Sequence, residues 1–429
     1  MGEISYQTGF GNQFATEAEP DVLPTGQNSP QKVSGGLYTE QLTGTAFTAP
    51  RVSMQRSWMY RMRPSVRHLN NLQAVDSGLI RTSPDQNTSP TAAQLRWDPF
   101  PSVASDTTWL TGLATVATNG NSEMQAGGAV HHFVASQSMA DTAFVDSDGE
   151  LMLVPYDGQL LIKTEMGHLE VGPGHIAVIP RGVKFSVDLS TDGARGYVCE
   201  NYGANFSLPE HGLVGVDANA LPRDFEYPIA AYDHDDRPTR LVAKISGQLF
   251  STELEHSPFD VVAWHGNLAP YRYELRRFCA LGPVVFDHPD PSIWTVLSSS
   301  SDTPGTANLD FILFREHWRV AEHTFRPPWF HSNVMSELMG LIEGIYDAKA
   351  QGFVPGGISI HNSFIPHGPD SEAFAAATEA ELVPSKGPDS LAIMWESRYR
   401  WVPTSWAMGL SELQGDYPER WSELGRQWD

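Results

Sequence analysis

A stretch of short β-rich segments limits the possible folds of this chain more than any other feature. Between residues 149 and 187, runs of apolar and β-branched residues are separated by the turn sequences "YDG", "EMG" and "GPG". Short strands cut by such turns are typical of a meander that folds into a sandwich or jelly roll. The 37 glycines and 31 prolines are scattered over the whole chain. The sequence therefore predicts a mainly β protein.

Helical signals are few. The segment "DSEAFAAATEAEL", residues 370–382, is rich in strong helix formers and offers Asp370 or Ser371 as its N-cap. The segment "PERWSELGRQW" near the C-terminus predicts a further turn or two of helix. Both helical segments are expected to lie outside the chemistry.

Charge and cysteine content exclude several classes of protein. The 51 acidic residues against 28 Lys and Arg give a net charge of −23, which repels nucleic acid and anionic lipid. Cys199 and Cys279 are too few for a disulfide scaffold, a four-cysteine zinc site or an iron–sulfur cluster. No apolar stretch reaches membrane-spanning length, and the first residues lack the pattern of a secretion signal. We expect a cytoplasmic enzyme with no nucleic-acid or membrane partner.

The segment "HSNVMSELMGLIEG", residues 331–344, places His331 and Glu337 six residues apart. On one strand they would be roughly 20 Å apart, and on one helix they would point to different sides. They can meet only if the chain turns between them. The spacing of His331, Asn333, Glu337 and Gly344 resembles the first cupin motif, with Asn333 in place of its second histidine. In the cupin fold this motif lies on two adjacent strands joined by a turn.

A weaker repeat appears in the first half of the chain. The order Gly174, Pro180, Gly182 and Phe185 resembles the second cupin motif, in which a metal-binding histidine stands where Phe185 stands here. We therefore expect the first half to be a cupin-like sandwich without its metal.

Two histidines and one carboxylate form the facial triad typical of non-haem iron(II) oxygenases. A glutamate inside the apolar run "VMSELMGLI" is costly to bury without a cation. Six of the 15 histidines lie between residues 288 and 367. The spacing thus predicts a metal site at His331 and Glu337. Its third ligand is left open between His361, which is one residue too late for the generic second cupin motif, and His367.

The whole chain, in the same order, closely resembles the homogentisate 1,2-dioxygenase family. The resemblance is carried by long and unusual segments: "YQTGFGNQFATEAEPDVLPTGQNSPQ" (6–31), "LYTEQLTGTAFTAPR" (37–51), "SPFDVVAWHGNLAPYRY" (257–273), "FDHPDPSIWTVL" (286–297), "FRPPWFHSNVMSELMGLIEGIYDAKAQGFVPGG" (325–357) and "PHGPD" (366–370).

This resemblance implies a non-haem iron(II) ring-cleaving dioxygenase of the extradiol type. Its reaction converts homogentisate and O2 to maleylacetoacetate in tyrosine and phenylalanine catabolism. The implied architecture is a cupin-like bicupin, with an N-terminal β-sandwich domain (1–280, a degenerate, metal-free cupin) and a C-terminal metal-bearing jelly roll (281–429). The implied assembly is a homohexamer, a dimer of trimers. The implied site residues are His331, Glu337 and His367 as iron ligands, His288 as acid/base, Tyr346 as a substrate-binding residue, and Asn333, His361 and His367 lining the substrate pocket.

Two other functions share part of this pattern. Another cupin dioxygenase, or a metal-dependent cupin isomerase acting on a small aromatic or organic acid, would carry the same triad. A bicupin binding or storage protein would show no turnover. Storage proteins of this type are usually exported and disulfide-linked, which the two cysteines argue against.

Overall fold

The mainly β expectation is confirmed by the computed structural model, which describes residues 4–84, 88, 91–101, 105–210, 218–287, 294–346, 352–387 and 389–428. Within these ranges the chain forms 30 strands and two α-helices. In chain order the strands are β1 Tyr6–Thr8, β2 Phe14–Glu17, β3 Tyr38–Thr43, β4 Arg56–Arg61, β5 Gln73–Val75, β6 Leu95–Trp97, β7 Leu113–Asn121, β8 Ala126–Ala135, β9 Thr142–Asp146, β10 Glu150–Asp157, β11 Leu160–Thr164, β12 Gly167–Val171, β13 His175–Ile179, β14 Phe185–Leu189, β15 Ala194–Asn201, β16 Ala218–Asn219, β17 Phe225–Pro228, β18 Thr239–Ile245, β19 Gln248–Leu254, β20 Val261–Gly266, β21 Tyr271–Glu274, β22 Cys279–Ala280, β23 Thr295–Ser299, β24 Leu309–Arg315, β25 Trp318–Arg319, β26 Ser336–Glu343, β27 Ile358–His361, β28 Ser385–Lys386, β29 Leu391–Ser397 and β30 Val402–Pro403.

Two large sheets form the N-terminal sandwich. One has the strand order β1-β17-β21-β13-β10-β15-β8-β7-β30, and the other has the order β12-β11-β14-β9-β18-β19-β5. The predicted meander of residues 149–187 becomes β10 to β14, but its strands are shared between the sheets. Strands β10 and β13 pair in the first sheet, while β11 pairs with β12 and β14 in the second. Apolar side chains from both sheets fill one core.

An aromatic cluster occupies the cupin-like repeat of the N-terminal half. Phe185, where the cupin motif has a histidine, is fully buried on β14. Its ring lies 5.3 Å from that of Trp109 and 5.7 Å from that of Phe144, both in edge contact. The side chains around Phe185 therefore stabilise an apolar core at this point.

The C-terminal sheet has the strand order β23-β24-β29-β26-β27-β6. Residues alternate between its two faces, as in any strand. One face, with Leu338, Ile360 and Trp395, joins the core of the N-terminal sandwich. Tyr197 of that sandwich donates a hydrogen bond of 2.9 Å to the carbonyl of Gly357. The other face carries the candidate site.

Strands cross between the two halves of the chain. Strand β6 pairs with β27 of the C-terminal sheet, with Trp97 opposite Ile358. Strand β30 pairs with β7 of the N-terminal sheet, with Val402 opposite Thr118. Each of these two sheets therefore includes one strand from the other side of residue 280, where the sequence analysis divides the chain.

The helices are short. Helix α1, Ser371–Glu379, begins after Asp370, whose side chain accepts a hydrogen bond of 2.8 Å from the Ala373 amide, as the sequence predicts. Helix α2 is Ser405–Met408, and a 3-10 helix, Tyr417–Trp421, lies near the predicted C-terminal turn. None of the helices in the described ranges is both long enough and apolar enough to cross a bilayer.

Candidate metal centre

The backbone brings His331 and His367 side by side. The His331 amide donates to the His367 carbonyl at 2.9 Å, and the His367 amide donates back at 3.1 Å, which makes an isolated antiparallel bridge. The space beside this bridge requires a glycine, because a Cβ on Gly368 would lie 2.6 Å from the Phe330 ring. The two histidines therefore face the site from a short bridge outside the main sheet.

Glu337 reaches the same point from β26. The chain turns between His331 and the start of β26 at Ser336, so the six-residue spacing becomes a short distance in space. Strand β26 ends before Gly344, which has a φ of +77° and whose added Cβ would lie 2.2 Å from the Asp389 carbonyl. The glycine of the predicted motif is thus needed for its backbone conformation.

Three potential ligand atoms converge. Nε2 of His367 lies 3.1 Å from Oε1 of Glu337, and Nε2 of His331 lies 3.7 Å from the same oxygen. One ligand atom from each residue lies within 4.8 Å of the others. The side chains of Glu337 and His367 are only 7% and 8% exposed. This is a buried group of two imidazoles and one carboxylate.

The tautomers of both histidines suit a cation. Nδ1 of His331 lies 2.8 Å from the carbonyl of Trp329, and Nδ1 of His367 lies 3.0 Å from the carbonyl of Ile365. A carbonyl only accepts, so each Nδ1 carries the proton and each neutral ring presents its Nε2 lone pair to Glu337. Two lone pairs and a carboxylate that face one another repel unless a cation lies between them. The donor set therefore fits a bound metal ion.

The charge of Glu337 supports the same interpretation. Burial alone would raise the pKa of this carboxyl, but the three surrounding histidines lower it well below its ordinary value where their nitrogens donate to it; with the Nδ1 protons of the two bridge histidines held by carbonyls, a bound cation would take over that role. Asn333 also donates from Nδ2 to Oε1 of Glu337 at 2.9 Å. The carboxylate is thus ionised and oriented.

His361 approaches Glu337 differently from the two bridge histidines. It stands opposite Glu337 on β27, and its Nδ1 lies 3.7 Å from Oε2, the other carboxylate oxygen. Its Nε2 is hydrogen-bonded to the hydroxyl of Tyr417 at 2.9 Å. His361 therefore contacts the group through Nδ1, whereas His331 and His367 do so through Nε2.

A row of titratable residues crosses the sheet at the level of Glu337. Asp310, Glu396, Glu337 and His361 stand opposite one another on β24, β29, β26 and β27, so their side chains share one face. Burial, followed by the charges of Glu337 and Asp310, raises the pKa of Glu396 to about 8. Burial also raises the pKa of Asp310 to about 6. At neutral pH Glu396 therefore keeps its proton, while Glu337, whose pKa is lowered, is the ionised carboxylate in contact with the histidines.

Of the two remaining predicted residues, the structure describes one, and it lies apart from this group. Tyr346 lies three residues beyond the end of β26, the opposite end from Glu337, and its ring packs against Phe314 and Phe353 at 5.5 and 6.3 Å. His288, the predicted acid/base, lies outside the described residues.

The sequence analysis missed Tyr417. This buried tyrosine directly precedes the predicted C-terminal segment (418–428) and is hydrogen-bonded to His361, 56 residues earlier in the chain. Arg96, with its guanidinium carbon 4.0 Å from the centre of the Tyr417 ring, was missed as well. Neither belongs to a spaced motif, so only their packing in three dimensions relates them to the site.

A second group of acidic residues in the described ranges lies in the N-terminal sandwich and surrounds a lysine. Asp146, Asp148 and Glu200 have carboxylate oxygens close enough to hold a metal ion. Lys244 lies among them, hydrogen-bonded to Glu200 and, at 2.9 Å, to Asp148. Its ammonium supplies the positive charge that these buried carboxylates need.

Known proteins resemble this chain over nearly its whole length. Two family models match it: homogentisate 1,2-dioxygenase N-terminal over residues 5–275, and homogentisate 1,2-dioxygenase C-terminal over residues 276–428. The chain is 54% identical over 424 residues to a homogentisate 1,2-dioxygenase of Rhodopseudomonas palustris (strain BisA53), with 99% of this chain and 95% of that protein covered. It is 53% identical, with the same coverage, to a protein of that name from Nitrobacter hamburgensis.

Similar solved structures include a cupin 2 conserved barrel domain protein from Leptotrichia buccalis, with 8% identity and a TM-score of 0.29, covering 70% of this chain and 91% of that one. They also include a salicylate 1,2-dioxygenase from Pseudoaminobacter salicylatoxidans, with 8% identity and a TM-score of 0.27, covering 68% of this chain and 71% of that one.

Proposed function

The chain belongs to the homogentisate 1,2-dioxygenase family, and we propose that it cleaves the ring of homogentisate with O2 to give maleylacetoacetate. In this proposal iron(II) is held by His331, Glu337 and His367, and the reaction is a step of tyrosine and phenylalanine breakdown. The observation that carries the proposal is the convergence of two Nε2 lone pairs on an ionised, buried carboxylate.

The choice of metal follows from the ligands. Two imidazoles and one carboxylate are the ligand set of non-haem iron(II) oxygenases, which keeps coordination positions open for substrate and oxygen. Iron(II), when bound, lets triplet dioxygen react with a closed-shell aromatic ring, a reaction that is otherwise slow.

The chain itself prepares the site in two ways. The carbonyls of Trp329 and Ile365 hold the protons of the two bridge histidines at Nδ1, so both Nε2 atoms are ready to bind without losing a proton. The amide of Asn333 holds Oε1 of Glu337 in place. Little reorganisation is then needed when the metal enters.

A proton must leave the substrate for it to bind well. The hydroxyls of a hydroquinone have a pKa of roughly 10, like tyrosine, and an imidazole titrates near neutral pH. We assign proton removal to His288 on the family resemblance. Tyr346, Asn333, His361 and His367 are assigned to the substrate pocket on the same ground, with hydroxyl and amide donors available for the anionic acetate group.

Oxygen uptake by the iron-loaded protein tests the function. With homogentisate, gentisate and catechol compared in an oxygen electrode, we expect uptake of one O2 per homogentisate and much slower uptake with the other two. Uptake with gentisate or catechol that equals or exceeds uptake with homogentisate would assign the protein to another dioxygenase reaction. No uptake with any of them would exclude the proposal.

We also propose a cytoplasmic homohexamer, a dimer of trimers, on the family resemblance. Sedimentation equilibrium of the purified protein tests the assembly, for which a mass of six 47.2 kDa chains is expected. A monomer or dimer over the working concentration range would contradict it.

A further inference from the structure

An ordered arm, residues 44–55, connects β3 to β4. Its two ends are bonded to each other, because the Gly44 amide donates to the carbonyl of Gln55 at 3.0 Å. Asn267, directly after β20, holds the same end of the arm by donating from Nδ2 to the carbonyl of Met54 at 2.9 Å. The base of the arm is therefore fixed to the N-terminal half of the chain.

The tip of the arm, residues 46–53, consists of two successive turns. The Ala49 amide donates to the carbonyl of Ala46 at 3.0 Å, and the Ser53 amide donates to the carbonyl of Pro50 at 2.9 Å. Every residue of the tip except Ala49 is exposed. The tip thus has a defined shape although most of it lies in solvent.

Two apolar side chains of the tip are strongly exposed. Phe47 is 78% exposed and Val52 is 93% exposed, which is the highest value for a large apolar side chain in the described ranges. Neither side chain contributes to the core, so folding of the single chain does not explain them. Aromatic side chains and arginines are the residue types that most often anchor protein interfaces. Because the turns already fix the backbone of the tip, binding of a partner there costs little conformational entropy.

The charge of this region is opposite to that of the rest of the protein. Residues 41–75 contain five of the 28 basic residues and none of the 51 acidic ones, so the rest of the chain has 23 basic residues and a net charge of −28. Arg61 is buried in ion pairs, and Arg63 forms an ion pair at the surface. Arg51 on the tip and Arg56 directly after the arm are exposed, and neither is ion-paired with a residue that the structure describes.

We propose that the arm docks on an acidic surface of a second copy of this chain through Phe47, Val52 and Arg51. A second copy has the complementary charge, because the arm is basic and the remainder of each copy carries −28. Nucleic acid or an anionic membrane would be repelled by that same net charge. In a ring of copies, each chain contributes one arm and one surface that receives an arm. The inference rests on the homohexamer of the proposed function and identifies a surface that holds it together.

Removal of the two apolar side chains tests the contact. Phe47→Ser/Val52→Ser changes only exposed positions, so the variant should fold like wild type, as measured by circular dichroism. We expect the dissociation constant of the assembly, measured by sedimentation equilibrium, to rise at least about 30-fold, as for the loss of one interface anchor. Met124→Ser is the matched control, because Met124 is 76% exposed on a 3-10 helix outside the arm. It should assemble like wild type.

Reversal of one charge tests the electrostatic part independently. Arg51→Glu should raise the dissociation constant at least about tenfold, because it places a carboxylate against an acidic surface. The difference from wild type should shrink as NaCl is raised from about 50 to about 500 mM, because salt screens the repulsion. Arg240→Glu makes the same change of net charge at an exposed arginine outside the basic segment, and it should assemble like wild type. If one arm variant does not fold, the other still decides.

The outcomes separate this inference from the proposed function. An unchanged dissociation constant in either arm variant that folds would overturn the arm contact, even if the wild type is a hexamer. Unchanged assembly together with lost binding to DNA or to anionic lipid vesicles would also overturn it and would assign the arm to a phosphate-bearing partner. A monomeric wild type would overturn both the arm contact and the homohexamer. Weakened assembly of the arm variants, with no homogentisate turnover by wild type, would support the arm contact and reject the proposed reaction.

Discussion

The imidazole ring of His361 stacks on that of His367, with ring centroids 4.5 Å apart and ring planes 8° apart, yet the two side chains meet different oxygens of Glu337. His367 presents Nε2 to Oε1, with its Nδ1 proton held by a backbone carbonyl. His361 presents Nδ1 to Oε2, with Nε2 bonded to a tyrosine. This difference supports His367, and not His361, as the third metal ligand.

Glu337→Gln should lose most of its iron while the protein stays folded. Glutamine keeps the shape of the side chain but removes the negative charge that offsets the metal, and its amide directs a donor at the two Nε2 lone pairs. Iron content per chain and the melting temperature of the metal-free protein check this. Glu343→Gln, at the far end of the same strand in an ion pair with Arg276, should keep full iron. Full occupancy in Glu337→Gln would remove this residue from the ligand set.

His288→Ala should keep its iron and turn over homogentisate about 100- to 10,000-fold more slowly, the range typical of a lost acid/base group. The reason is that the residue is assigned to proton transfer and not to metal binding. Iron analysis and steady-state kinetics on the same sample check this. Loss of iron, or near-normal turnover from pH 6 to 9, would count against the role.

Tyr346→Phe should raise the KM for homogentisate roughly tenfold and leave kcat almost unchanged, because it removes one hydrogen bond to the substrate acetate. The ring packs on Phe314 and Phe353, and phenylalanine keeps those contacts, so stability should not change. Initial rates over a range of homogentisate concentrations measure both constants. An unchanged KM would show that the hydroxyl does not bind substrate.

The free energy of unfolding of the metal-free protein should fall as the pH rises from 5 to 8, because the buried Glu150 loses its proton in this range. Burial raises the pKa of this carboxyl from 4.5 to about 7, despite hydrogen bonds from Phe206 and Asn201. The native state therefore binds the proton more tightly than the unfolded state, and the stabilisation present below pH 4.5 is lost as the pH passes 7. A shift of this size corresponds to on the order of 3 kcal/mol.

Glu150→Gln has no such proton and tests that sign directly. Its melting temperature should be close to that of wild type at pH 5 and higher than that of wild type at pH 8. A difference between the two proteins that stays constant with pH would show that Glu150 titrates normally.

The sequence predicted the parts of the fold and site that depend on local pattern. The alternating segments of residues 149–187 became strands, Asp370 caps helix α1, and a turn brings His331 to Glu337. In each case the residues involved are neighbours in the chain.

The remaining features depend on contacts between distant segments. Strand β6 pairs with β27 more than 250 residues later, with Trp97 opposite Ile358. The three residues of β6, two apolar and one basic, form no pattern that indicates β27 as the partner strand. Tyr417 reaches His361 only because the C-terminal segment packs along β6. Such pairings depend on how the whole core packs. The periodicity of a single sequence does not indicate which distant segments will pair.

We propose that His331, Glu337 and His367 hold the iron at which homogentisate is oxidised. The most direct test measures iron content and oxygen uptake in the same samples of wild type, His367→Ala and His361→Ala after reconstitution with excess iron(II). We predict one iron per chain and full uptake in wild type, neither iron nor uptake in His367→Ala, and iron with strongly reduced uptake in His361→Ala. Iron retained by His367→Ala and lost from His361→Ala would show that His361, and not His367, is the third ligand.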